Sequence, residues 1–368
     1  MFHAPRWAII RPFDTVSDAH STVYCKQLPL LGLLPVGTCT AHAPRGKHWQ
    51  SSKSMMPENA LLGVPDPMLD CLVQGTPVPA SLVGELTDST ALRNNPDALR
   101  ERLEQEGYLL VRGAVDGQRI EAARGEVFSR LEEVGEIDTP AISGIASGTS
   151  RRREQVGDLG DFWRSVSQGA ALRAATHGSE LHTIMTAVLG QPAQPHDYLF
   201  LRPARVGLST RLHFDFPFFA RHSQRIYTAW LALGEIPLED GTLMVVEGSN
   251  RFVDLINAVK QIDYDSQDSP TVQVMENTVA FVQSRDSRLL TTHFEPGDVV
   301  IFDMFTMHGT FDNHSPIGRV RLSCDVRWQP ACDPLDPRYA GSDPPGTTGI
   351  GYGELNGAKP LTEDWHIR

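Results

Sequence analysis

The chain has 368 residues, 40% of them hydrophobic, and a formal net charge of −12 at pH 7. That length suits one large domain or two small ones with a buried core. The acidic balance, with Lys and Arg dispersed, excludes the clustered basic face of a nucleic-acid binder, and no apolar run approaches the ~20 residues of a membrane-spanning helix.

The five cysteines, Cys25, Cys39, Cys71, Cys324 and Cys332, contain no CxxC pair. That pattern fits a reducing compartment better than a disulfide scaffold. The stretch "LPLLGLLPVGTCTAHA" (28–43) has an apolar run and a small-x-small end, but it starts far from Met1 and follows Asp14 and Asp18. It is not read as a secretory signal, and a cytoplasmic location is expected.

Residues 1–85 are rich in Pro, Ser and small side chains without sustained periodicity, and they read as an irregular N-terminal extension. The catalytic-type domain is expected over 86–331. Within it "PDALRERLEQEGYLLVRGAV" predicts a helix opening at Pro96 and closing at Gly107, then a strand "YLLVRG". "DGQRIEAARGEVFSRLEEVG" places Ile120, Val127 and Leu131 on one helical face, and a third helix is expected over 177–190. After residue 195 short strands follow, separated by Gly, Pro, Asp and Asn: "DYLFLRP", "TRLHFDF", "RIYTAWLAL", "GTLMVVEGS", "HFEPGDVVIFDMFTMHG" and "GRVRLSCDVRW". Helices first and many strands afterwards predict a mainly β sandwich or barrel with flanking helices. Residues 332–368, again rich in Pro and Gly, read as a C-terminal tail packing on the domain.

One run of the chain bears chemistry. In "STRLHFDFPFFARH" (209–222), His213 and Asp215 lie among four phenylalanines. On a strand, residues i and i+2 share a face, so both would point into a core or a site. A buried carboxylate must be neutralised by a cation, a proton or a metal. His308, on a later strand, completes two imidazoles and a carboxylate, the facial arrangement of non-haem Fe(II) oxygenases. A second pair, His293-x-Glu295, has His308 too close behind it to return from a distant strand. His196, His222 and His314 are read as structural or exposed.

The segments "EQEGYLLVRGAVD", "LHFDF", "DGTLMVVEGSN" and "EPGDVVIFDMFTMHGTFDN", with the Arg319 that follows, resemble the phytanoyl-CoA dioxygenase family over about residues 97–330. The resemblance implies a double-stranded β-helix core, Fe(II) as metal, and 2-oxoglutarate and O2 as co-substrates. Carried over by position, it gives His213, Asp215 and His308 to iron, Arg319 to the far carboxylate of 2-oxoglutarate, Thr310 to a supporting hydroxyl and Trp230 to the co-substrate pocket wall. The implied reaction is hydroxylation of a small molecule with release of succinate and CO2. The alternatives are a non-catalytic metal-binding relative, or the same cofactors with a desaturating or ring-forming outcome. Phe216, Phe218, Phe219 and Leu201 are expected to line the substrate side, which suggests a substrate with a hydrophobic part. In "GRVRLSCDVRW" alternation puts Arg319, Arg321, Ser323, Asp325 and Arg327 on one face; the resemblance selects Arg319 over Arg321 for the co-substrate.

Overall fold

A computed structural model describes residues 7–9, 71–262, 271–273, 277–342, 344–346 and 359–363. The strands β1 (Trp7–Ile9), β2 (Leu72–Val73), β3 (Thr76–Pro77) and β4 (Val83–Glu85) come first. Helix α1 (Pro96–Glu106) starts where the Asn95 side chain accepts from the Ala98 N–H, and stops at Gly107 with φ 81°, a left-handed turn that glycine makes without a Cβ clash. Strand β5 (Tyr108–Val111) leads to α2 (Gly117–Glu133), whose first N–H groups are capped by Asp116. Four helices follow: α3 (Arg152–Gln155), α4 (Leu159–Ser167), α5 (Ala170–Thr176) and α6 (Ser179–Leu189).

The barrel strands then run in sequence. They are β6 (Ala193–Pro195), β7 (Phe200–Ala204), the one-turn helix α7 (Phe216–Phe219), β8 (Tyr227–Ala232) and β9 (Leu243–Val246). After α8 (Val253–Val259), β10 (Thr271–Gln273) and α9 (Thr278–Ser284) come β11 (Leu289–Thr291), β12 (Val299–Asp303), β13 (His308–Thr310) and the long β14 (Arg321–Pro330).

The larger sheet has the order β5-β12-β8-β14, with β7 and then β6 along the other edge of β14. The smaller has the order β13-β9-β11-β4 and is antiparallel except where β4 meets β11. Tyr108, Leu110, Trp230, Val300 and Phe302 of the larger sheet pack with Leu243, Val245 and Leu290 of the smaller. Alternate residues of the larger sheet, such as Leu109, Leu231, Ile301 and Val326, join Val127, Phe128 and Leu131 of α2 in a second core beneath the helices. The architecture is a double-stranded β-helix with helices over the outer face of its larger sheet. Among the described residues, no helix is long and apolar enough to cross a membrane.

Three expectations change. The run 210–216 is not a strand: His213 makes a single bridge to His308, and the chain turns into α7, with Pro217 in its first turn. The stretch 293–309 divides into β12 and β13. Most of 1–70 lies outside the described residues, but 71–85 belong to the domain and not to an irregular extension. Cys71, Val73, Val78 and Val83 are buried, β4 extends the smaller sheet, and the Asp312 carboxylate accepts the Gln74 and Gly75 N–H groups at 2.8 and 2.6 Å. Apolar residues this widely spaced carry no periodic signal. In the tail, Tyr339 is buried, stacks on His196 and donates its hydroxyl to the Phe218 carbonyl at 2.8 Å.

Two predictions follow from this packing. A chain starting at residue 87 is expected to be less stable than one starting at residue 71 by on the order of 5 kcal/mol in urea denaturation, from the buried side chains lost; equal stabilities would mean that β4 is dispensable. His196 is buried, and desolvation first of all, with Arg327 contributing, pulls its pKa down to about 4. Between about pH 6.5 and 4 the unfolded chain therefore binds a proton that the folded one does not, so stability falls with falling pH. At pH 5 the loss is on the order of 1–2 kcal/mol, and His196→Gln is expected to flatten that slope in denaturation curves taken across the window.

Candidate metal centre

The backbone brings the two histidines together. His213 and His308 exchange backbone hydrogen bonds, N–H to carbonyl, of 3.0 and 3.1 Å, and their rings lie 4.3 Å apart. Each imidazole spends its Nδ1 on a carbonyl two residues earlier: His213 on Arg211 at 2.9 Å and His308 on Thr306 at 3.0 Å. With Nδ1 carrying the proton, Nε2 is left as the lone-pair donor, a tautomer that suits a metal ligand. Nε2 of His213 is buried and has no partner. Burial first, then the neighbouring His308, pulls the His213 pKa down to about 3, and burial also lowers that of His308.

Asp215 faces the same point. One ligand atom from each of His213, Asp215 and His308 lies within 4.8 Å of the others, and Asp215 Oδ1 is 3.7 Å from His213 Nε2. The carboxylate is completely buried, which by itself would raise its pKa. Arg327, the two histidines and the Thr228 hydroxyl outweigh burial and hold it below the usual carboxylate range. Arg327 Nη2 reaches its two oxygens at 3.0 and 2.9 Å, and Thr228 donates to Oδ2 at 2.6 Å. The carboxylate is thus oriented before any metal arrives. Two neutral imidazoles and one carboxylate, with an orphaned nitrogen among them, fit a divalent transition ion such as iron. No thiolate is among them.

Arg327 is itself held. Its guanidinium lies 4.4 and 4.5 Å from the ring centroids of Phe200 and Phe219, and Nη1 reaches Asp325 Oδ2 at 3.2 Å. Asp325 Oδ2 also accepts from Arg202 Nε at 2.8 Å. Phe200 and Arg202 come from β7, Phe219 from α7, and Asp325 and Arg327 from the inner face of β14. Alternation along "RLSCDVR" marks that polar face, but only closure of the barrel shows that it points inward. Nothing in "DYLFLRP" singles out Arg202.

A small cavity beside the triad is lined by Arg202, Thr210, His213, Trp230, Leu243, His308, Gly309, Thr310 and Asp325. Thr310 Oγ1 accepts the Thr210 N–H at 2.7 Å, and Trp230 Nε1 is buried without a partner. The volume is about 10 Å³, room for about one water. Arg319 is not brought to this cavity. It precedes β14, and its guanidinium lies 3.3 Å from Asp240 and 3.8 Å from Glu235, in a separate cavity of about 780 Å³ whose walls include Arg124, Ile142, Ile145 and Ile317. Phe216 stacks on Phe305 and Phe218 meets the His213 ring edge-on. Leu201 pairs with Cys324 on the outer face of the sheet and joins the core under the helices; Phe200 takes the inner face.

Because Asp215 neutralises a buried guanidinium, Asp215→Ala is expected to destabilise the metal-free protein by about 3 kcal/mol, besides removing metal binding. Arg327→Met in the same chain is expected to recover part of that loss. An Asp215→Ala protein as stable as the parent in urea would mean that the ion pair contributes nothing.

The model of the phytanoyl-CoA dioxygenase family matches residues 103–320 of this chain. The chain is 26% identical over 264 residues to 1-deoxypentalenic acid 11-beta-hydroxylase of Streptomyces exfoliatus, covering 68% of this chain and 86% of that protein. It is 25% identical over 267 residues to peroxisomal phytanoyl-CoA dioxygenase of Rattus norvegicus, covering 68% and 74%. Among solved structures it is similar to EctD from S. alaskensis with 2-oxoglutarate and 5-hydroxyectoine, at 16% identity and a TM-score of 0.44, over 77% of this chain and 91% of that one.

Proposed function

The chain belongs to the phytanoyl-CoA dioxygenase family, and on that premise we propose that it hydroxylates a C–H bond of a small molecule with a hydrophobic part, at the centre formed by His213, Asp215 and His308. It is an iron- and 2-oxoglutarate-dependent dioxygenase. What carries the residue assignment is the convergence of three donor atoms within 4.8 Å, with both imidazoles turned by their Nδ1 bonds.

His213 Nε2, His308 Nε2 and Asp215 Oδ1 would hold the iron. Bound there with 2-oxoglutarate and O2, it supplies an oxidant for a C–H bond, with succinate and CO2 as co-products. The chain contributes geometry and a dry surrounding. Arg327 and Thr228 fix the carboxylate, leaving Oδ1 toward His213. The Arg211 and Thr306 carbonyls keep the Nδ1 protons where they are, so neither ring rotates out of line. Thr310 and Trp230 present a hydroxyl and an indole N–H beside the triad, the place for a co-substrate. The Phe218 ring against His213 adds apolar surface beside the triad, which supports a substrate with a hydrophobic part.

The test is spectroscopic. Fe(II) and 2-oxoglutarate added without air are expected to produce the visible charge-transfer absorption of the chelate, and His308→Ala is expected to abolish it. Succinate release across a panel of apolar small molecules then identifies the substrate. A wild-type protein with neither the absorption nor succinate release would leave a metal-binding β-helix without turnover.

A further inference from the structure

We propose that Tyr339, in the C-terminal turn 336–339, is a positioning residue of the metal centre. It holds α7, and through α7 the Asp215 carboxylate and the Phe218 ring beside His213; this rests on the reading of the centre given above. The two histidines are fixed to each other by backbone hydrogen bonds. Asp215 instead stands at the start of α7, a helix of four residues. A single helical turn has few internal hydrogen bonds and little stability of its own, so its direction is set by what it packs against. Within it the Phe218 N–H donates to the Asp215 carbonyl at 3.1 Å. The last carbonyls of a helix need donors from outside it. For the Phe218 carbonyl these come from the tail: Tyr339 Oη donates at 2.8 Å and Arg338 Nη2 at 3.3 Å.

The Tyr339 ring reaches the centre by a second route. Its centroid is 5.0 Å from that of Phe219, and the Phe219 ring lies 4.5 Å from the Arg327 guanidinium, which bonds both Asp215 oxygens. One side chain thus touches the backbone of the turn that carries the carboxylate and the ring packed against the carboxylate's cation. The turn is itself anchored. The Tyr339 carbonyl accepts the Asp197 and Tyr198 N–H groups at 2.9 and 3.2 Å, in the connection between β6 and β7. His196, in the same connection, stacks on the Tyr339 ring with 5.4 Å between centroids. Within the turn, the Tyr339 N–H donates to the Asp336 carbonyl at 2.9 Å. The buried Asp336 carboxylate accepts from Arg338 Nε at 3.0 and 2.9 Å, and His222 Nδ1, just beyond α7, lies 3.3 Å from it. The turn therefore couples α7 to the edge strands of the larger sheet, whose inner face supplies Arg327.

Packing alone does not ask for a tyrosine at this position. The side chain is completely buried among the rings of His196, Tyr198 and Phe219, a place that phenylalanine would fill. A buried hydroxyl is unfavourable without a partner, and the partner this one has is a carbonyl of the helix that begins at the metal ligand. Productive metal geometry tolerates displacements of only about 0.5 Å, so a group that fixes the ligand-bearing turn bears on metal affinity.

The experiment titrates the metal-free full chain with Co(II) in the absence of O2. It reads the affinity and the visible ligand-field absorption of the bound ion, and the thermal midpoint of the same protein before metal is added. Tyr339→Phe keeps the ring and removes only the hydroxyl. It is expected to weaken Co(II) binding roughly tenfold and to shift the absorption. Arg338→Met removes the longer bond to the same carbonyl and is expected to act in the same direction with a smaller effect. Val127→Ala, in the core beneath the helices, is expected to lower the midpoint at least as far as Tyr339→Phe while leaving Co(II) affinity and absorption unchanged. A purely structural Tyr339 would behave like Val127. Wild-type affinity and absorption in Tyr339→Phe therefore overturn the inference while leaving the reading of the centre intact. Should Tyr339→Phe fail to fold, unchanged Co(II) binding in Arg338→Met overturns it. Failure of wild type to bind Co(II) at all overturns both.

Discussion

The ion pair between Arg327 and Asp215 is the interaction on which the centre depends. A carboxylate as deeply buried as Asp215 would take a proton unless a cation stood against it. Protonated, it would be a poor third ligand. Arg327 keeps it ionised and fixes its plane, and Arg327 can be there only because β14 is long enough to pass from Arg321 to Pro330 along the centre of the larger sheet. The rings of Phe200 and Phe219 pack against the guanidinium, beside the two carboxylates that it serves.

From this follows an inversion of the usual sheet. Ordinarily the polar face of an antiparallel strand meets water and the apolar face meets the core. Here the apolar residues Leu322, Cys324, Val326 and Trp328 face the helices, and the polar ones face the space between the two sheets. Both faces are buried. The helical layer is therefore more than a cover: by taking the apolar face of β14 it leaves the inner face free to carry charge. Elsewhere the two sheets meet through apolar side chains such as Leu110, Val245, Val300 and Phe294.

How much of this could be read beforehand depended on whether the signal was local. The caps of α1 and α2 lie in four-residue patterns, and the helices start and stop where Asn95, Asp116 and Gly107 place them. The spacing of His213, Asp215 and His308 is likewise visible, although the physical reason given for it was different: alternation on a strand, where the structure has one bridge and a turn into α7. Pro217 was the sign that a strand could not continue. Arg202 and the residues 71–85 were not legible, because their roles arise from pairing with β14 and β11, far away in the chain. Arg319 and Arg321 share a face by alternation, and no local rule distinguishes them. Only the start of β14 at Arg321, and the acids beside Arg319, do that.

The charges around the triad also bear on how a metal would be held there. Arg327 is answered by Asp215 and Asp325, and Arg202 by Asp325, so Asp215 is already engaged through both oxygens before any ion arrives. A divalent ion at His213, His308 and Asp215 would share its one charged ligand with that guanidinium and would meet it at low dielectric. An anion bound together with the metal would offset the repulsion, and by linkage the gain would be the same in both directions.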